Sequence, residues 1–427
     1  MKRHISLYYG SIDFRSGINL LSTILTAFFF SRKKIESRLK FIISGYFSKK
    51  INVYTFISAR SGIAAFLKTL DSNNGEVIIS AFTCLAVPTG VIAAGLKPVY
   101  VDVEPLSLNN NIDNILSKIT DNTRAIIVQH TLGFPVDVAL LKQKIKGKGI
   151  YILEDCALSI GSILNNKFLG SEGDSAIYSL ELSKSLSTGW GGIIVINNDD
   201  LKLKMDLVYS GCKTENILSS FLKAFQTIIS SFAYHNLIYN FFGKYILYYG
   251  YKLKIFRLST NASEVEGKLS KDFIQKMGIF QLHFAMYQWK NLKSISYRIN
   301  KNFKVLQKVL IKMEFSYFSH NLDAFVVSPR ISFQVENTKF AKFFFMQRGI
   351  ELGTWFDGPL SPLPKNDVFN YRNYDFPNAN FISKHIVNLP CHSGVSPKDL
   401  ECILKAITEF RENHPKSICI YENEYAK

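Results

Sequence analysis

The 427-residue sequence has no C-x-x-C pair, and its six cysteines (84, 156, 212, 391, 402 and 419) are scattered. That argues against a disulfide scaffold or a zinc site and suits reduced thiols in a cytoplasm. Acidic residues are scarce: 34 Asp and Glu stand against 51 Lys and Arg, a net charge of +17. So basic a chain attracts anions, among them nucleotide diphosphates, phosphate groups and anionic membrane surfaces. Nucleic acid is set aside as a partner, because no helix-turn-helix, zinc-finger or aromatic RNA-binding signature accompanies the charge. The apolar run Ile18 to Phe30 has 13 residues and stops at Arg32-Lys33-Lys34; a bilayer span needs about 20. Asp13 and Arg15 precede it and no small-residue cleavage site follows, so it does not read as a signal peptide. A buried helix, or one lying on a membrane surface, is expected there.

What is present centres on Gly173 to Gly192, GDSAIYSLELSKSLSTGWGG. An apolar strand is expected from Ala176 to Leu182, ending at Lys184 and a glycine-rich turn. Lysine is seldom buried without a partner. Desolvation frees its lone pair for attack on a carbonyl, so Lys184 reads as a Schiff-base lysine; the plainer alternative is a lysine that snorkels at a strand end. A second stretch, GIYILEDCALSIGS (149–162), places Glu154-Asp155 at the end of a buried strand. Open α/β sheets bind ligands at that end. An Asp there can pair with the pyridinium nitrogen of pyridoxal phosphate and keep the ring able to accept electrons.

Together with 76–109, 124–137 and 389–400, these blocks resemble the DegT-type (DegT/DnrJ/StrS) sugar aminotransferases, pyridoxal-phosphate enzymes of fold type I. The resemblance implies an α/β fold: a three-layer α/β/α cofactor domain followed by a smaller α+β domain. Expected boundaries are an N-terminal extension (1–50), the cofactor domain (51–265) and the C-terminal domain (266–427). It implies pyridoxal 5'-phosphate as cofactor, with Lys184 and Asp155 catalytic and Ser179 on the phosphate. Ala59-Arg60-Ser61 falls where the family grips phosphate at a helix N-terminus, Ala59 replacing a glycine. His130 falls near the cofactor or substrate, or is a hydrogen-bonded core histidine. Three family features depart. Cys84 stands where an aromatic stacks on the ring, leaving stacking to Phe82 or elsewhere; Leu158 replaces a Gln that bonds the ring hydroxyl; Trp190 replaces a common acidic residue and faces substrate or a subunit contact. Arg330 would bind the donor's carboxylate or, more simply, form a surface salt bridge. The loop 352–363 would line the cleft.

The segment 216–263 has no Asp or Glu, five Lys or Arg and twelve aromatics. Ile217, Leu218, Phe221, Leu222, Phe225, Ile228, Ile229 and Phe232 recur at helical spacing, opposite Ser219, Ser220, Lys223, Gln226, Thr227 and Ser230. This suits an interfacial membrane anchor, or a helical hairpin over the active-site mouth or a dimer contact. The functional expectation is a homodimeric, cytoplasmic enzyme, in possible membrane contact through 216–263. It would aminate a nucleotide-linked keto-sugar, with glutamate as donor, for surface polysaccharide. The alternatives are a catalytically weakened homologue acting as a membrane-associated scaffold, or a related sugar-modifying pyridoxal-phosphate enzyme.

Overall fold

A computed structural model describes residues 4–7, 12–70, 74–235, 238–260, 262–270, 272–315, 324–354, 358–364 and 367–417. Its centre is a seven-stranded sheet. In chain order the strands are β1 (Asn52–Phe56), β2 (Glu76–Ser80), β3 (Lys97–Val101), β4 (Thr123–Gln129), β5 (Tyr151–Asp155), β6 (Ser175–Ser179) and β7 (Gly192–Ile196). Across the sheet they lie β1-β7-β6-β5-β4-β2-β3. Only β7 runs against its neighbours, pairing antiparallel with both β1 and β6. Strands β6 and β7 are buried along their whole length, which explains why they read as apolar runs rather than alternating ones.

Helices cover both faces of the sheet. On one lie α3 (Ala59–Leu67), α4 (Ala86–Ala93) and α7 (Asp199–Gly211), packing Ile63, Phe66, Val91 and Met205 against Val77, Ile79, Ile177 and Ile194. On the other lie α2 (Arg32–Ser44), α5 (Ile112–Ser117), α6 (Val138–Lys144) and α10 (Ile279–Lys290). The result is a three-layer α/β/α arrangement of fold type I. Helix α1 (Phe14–Thr26) packs beside α8 (Ile217–Ala233), and α9 (Lys244–Lys252) follows. The smaller unit pairs β8 (Arg330–Gln334) antiparallel with β9 (Ile386–Pro390). Around that pair lie α11 (Leu292–Lys312), α12 (Thr338–Gln347), α13 (Pro377–His385) and α14 (Pro397–Asn413). Among the described residues, no helix is long and apolar enough to cross a membrane.

Backbones approach closely at the start of β7. Gly192, its first residue, pairs with Ser179 at the end of β6. A Cβ at Gly192 would lie 2.5 Å from the Ala59 nitrogen and the Ser58 carbonyl carbon. Glycine therefore lets the start of α3 sit directly against the strand end that carries Ser179.

Candidate active site

The first amides of a helix have no partner within the helix. In α3 the Ser58 hydroxyl caps the Ser61 N–H, leaving the Ala59 and Arg60 end facing outward. That end, the C-terminal ends of β5 and β6 and the loop between β6 and β7 surround a cavity of about 320 Å³. Ser58, Ala59, Arg60, Asp155, Ser179 and Lys184 all line it. Ser61 does not: it is buried, and its hydroxyl donates to the Phe273 carbonyl at 2.8 Å. Arg60 lines the cavity but its guanidinium pairs with Glu264 and the Ser259 carbonyl. Ala59 thus offers only backbone, Arg60 backbone and a committed side chain.

Strand β6 stops at Ser179, three residues short of the expected Leu182. Lys184 is therefore not at a strand end but in the turn beyond it, half-buried, with its N–H on the Glu181 carbonyl at 3.1 Å. Glu181 in turn accepts from the Ser183 N–H and hydroxyl at 2.9 and 2.6 Å. Among the described residues, Lys184 is the one lysine lining this cavity.

Asp155 is buried, with Oδ1 accepting from the Ala157 N–H at 2.9 Å. Burial pushes its carboxyl above the usual range; the Ala157 N–H and the charge of Lys184 pull it back only in part. A buried carboxylate so placed gains from a cation delivered into the cavity. Behind it, Glu154 is also fully buried. Burial raises its carboxyl, but the hydrogen bond from His130 and the Gly173 and Gly170 N–H groups outweigh this and hold it below the usual range. His130 is accordingly the hydrogen-bonded core histidine. The Val136 N–H donates to Nδ1 at 3.1 Å, which puts the ring proton on Nε2, 3.0 Å from Glu154. It also borders a small cleft of about 30 Å³ that Cys84, Asp155, Leu158 and Lys184 share with it.

Several expectations need correction. Phe82 is fully buried in the main core and does not line the cavity, whereas Cys84 does, so Phe82 offers no stacking face. Arg330 is not a surface residue; it is 4% exposed and lines the cavity. Lys223 is not a surface cation either, being buried with Nζ 2.6 Å from Glu215. Of the loop 352–363, Ser361 and Pro362 line the cavity, and residues 355–357 lie outside the described residues. Trp190 lies between this cavity and a second hollow of about 330 Å³, lined also by Arg60, Arg257 and Lys268. Sequence reasoning missed Ser58, Glu181, Ser183, Ser259 and Thr260, which also line the wall. The last two lie just beyond α9 and reach the cavity only through the path the chain takes back.

Leu158 is 7% exposed, packs in the main core and borders the small cleft. Leu158→Gln buries an amide and is expected to lower the stability of the apo chain by about 1–3 kcal/mol. Pyridoxal phosphate should restore part of that if its ring hydroxyl reaches the cleft. Urea unfolding with and without the cofactor reads both. A loss unchanged by cofactor places the hydroxyl elsewhere.

The cavity's donor set fits pyridoxal phosphate: an amine, a buried carboxylate without a full counter-charge, and a hydroxyl beside an open helix N-terminus. Fold and cavity suit a pyridoxal-phosphate enzyme of fold type I. The chain matches the DegT/DnrJ/EryC1/StrS aminotransferase family over residues 38–236. It is similar to an uncharacterised protein of Methanocaldococcus jannaschii, 24% identical over 88% of both chains. A GDP-perosamine synthase of Vibrio cholerae is 33% identical over 124 residues, 29% of this chain and 34% of that one; over such named relatives the match spans about a third of their length. In structure it resembles a sugar aminotransferase from Micromonospora echinospora, with a TM-score of 0.69 and 18% identity over 91% of this chain and 96% of that one.

Proposed function

We propose that this protein uses pyridoxal 5'-phosphate to aminate a nucleotide-linked keto-sugar, with glutamate as donor. The observation that carries the reading is the meeting of Lys184, Asp155, Ser179 and the start of α3 around one cavity. When bound, the cofactor would supply an electron sink for the carbanion left at the substrate carbon. Lys184 Nζ would hold the cofactor and, when free, would take and return the proton at the substrate carbon. Asp155 would keep the ring nitrogen protonated by facing it with a carboxylate that has little other compensation. Ser179 Oγ and the Ala59 and Arg60 end of α3 would hold phosphate. Arg330, a buried cation in the wall, suits the donor's carboxylate.

The nucleotide-sugar substrate is supported by the perosamine-synthase likeness and by the basic hollow beside Trp190. We infer further a cytoplasmic homodimer whose product feeds surface polysaccharide, the compartment resting on the scattered, unpaired thiols. The purified protein, incubated with glutamate and a panel of nucleotide keto-sugars, should yield one product in which an amine has replaced the keto oxygen, read by mass. If no sugar is aminated and added cofactor gives no protein-bound visible absorption, the weakened-homologue reading takes its place.

A further inference from the structure

Helix α8 is built inside out. Its polar side is buried: Ser220 donates to Gln281 at 2.6 Å, Lys223 pairs with Glu215, and Gln226 exchanges two hydrogen bonds with the Arg257 backbone. Its apolar side is exposed, with Ile217, Leu218, Phe221, Leu222 and Phe225 all facing solvent. The buried polar pairs fix this orientation, because turning the helix over would strand each of them in the core. Helix α1 does the same. Ser16, Gly17, Leu20 and Thr23 face inward, while Phe14, Ile18, Leu21 and Leu25 face outward. The two helices run antiparallel and touch closely: Phe14 meets Phe232 edge-on at 4.9 Å, and a Cβ on Gly17 would lie 2.1 Å from the Ser231 hydroxyl. Beyond them α9 exposes Tyr245, Ile246, Tyr248 and Tyr249 beside Lys244 and Lys252.

We propose that the outward side of α1, α8 and α9 is a docking surface for an anionic lipid bilayer. Exposed apolar surface of this extent marks an interaction site, and charge selects the partner. No acidic residue occurs in 216–263 or between Phe14 and Phe30, while Arg15, Lys33, Lys34, Lys244, Lys252 and Lys254 are exposed around the apolar rows. A second copy, docked through the same face about a two-fold axis, would bring this basic rim largely against itself; of the nearest carboxylates, Asp13 caps α1 and Glu36 is held by Arg32. Lipid phosphates complement it, and the apolar rows enter the acyl boundary as interfacial helices do. Lysines stacked near tyrosine rings, as Lys244 over Tyr245 and Lys252 over Tyr248, suit the headgroup layer.

The test is co-sedimentation of the full chain with phosphatidylcholine vesicles, with and without phosphatidylglycerol, at low and high salt. The chain should pellet with the anionic vesicles and less so in high salt. Lys244→Gln/Lys252→Gln/Lys254→Gln should lower the partition coefficient on the order of 100-fold, about fivefold per lysine. Ile18→Ser/Leu21→Ser/Leu25→Ser should lose binding that salt does not screen, with circular dichroism unchanged because all three side chains are exposed. Absence of pelleting with anionic vesicles at low salt overturns the proposal. So does an Ile18/Leu21/Leu25 variant that still binds vesicles but sediments as a monomer where the parent is a dimer, since a second copy then covers the face.

Discussion

Lys184→Ala should abolish amine transfer, by roughly 10²–10⁴-fold or more if proton transfer alone is lost, and leave the fold intact. The stability half of this follows from position. Lys184 lies in a turn, half-buried, and its backbone N–H bond to the Glu181 carbonyl is one that alanine keeps. The chemical half follows from its being the one lysine of the wall among the described residues. Borohydride reduction of the cofactor-loaded protein followed by peptide mapping should mark Lys184 and no other position. Label on Lys223 or Lys268, which line only the neighbouring hollow, would remove Lys184 from the role.

Asp155→Asn should separate two properties that a merely structural residue would lose together. A buried carboxylate facing a pyridinium forms a buried ion pair, and deleting one side of such a pair costs about 3–5 kcal/mol. Turnover should fall accordingly, by several hundredfold or more, with cofactor still bound through its phosphate. The apo chain should respond in the opposite sense. The folded state raises the Asp155 carboxyl through burial, so the folded chain holds that proton more tightly than the unfolded one. Its contribution is favourable while protonated and lost as pH rises from the ordinary carboxylate range through the raised value. At neutral pH asparagine escapes that penalty. Apo Asp155→Asn should therefore unfold at the same or a higher temperature than the parent, and the difference should vanish in acid. A variant with near-normal turnover, or one that is unstable at every pH, would show that Asp155 does not face the ring nitrogen.

The layered sheet was legible because β4 to β7 are buried on both faces and so appear as short unbroken apolar runs bounded by turns. Asp155, Ser179 and Lys184 could be named from sequence, and they lie around one cavity, because strand ends and the turns after them are local features. What could not be read depends on long-range geometry. The spacing in 217–232 gives the axis of amphipathicity but not which side faces in; that is decided by Gln281 and Arg257, distant or looped-back partners of α8, and by Glu215 just before it. Arg330 reads as an ordinary strand cation until β8 is seen to border the cavity. Phe82 and Cys84 alternate in the sequence, and only packing decides that the phenyl ring goes to the core and the thiol to the wall.

The loop between β6 and β7 is tied off at its base. The Leu180 N–H bonds the Gly191 carbonyl and the Thr188 N–H bonds the Leu180 carbonyl, both at 2.9 Å, while Gln288 of α10 holds the Ser187 carbonyl at 2.8 Å. Lys184 thus sits in a short loop whose two ends are fixed to neighbouring strands. In the proposed role, its amine once released from a covalent partner would stay at an effective concentration set by the length of its own side chain rather than by any motion of the sheet. A lysine that must be displaced and recaptured in every catalytic cycle gains from such a tether, since its return costs almost no search.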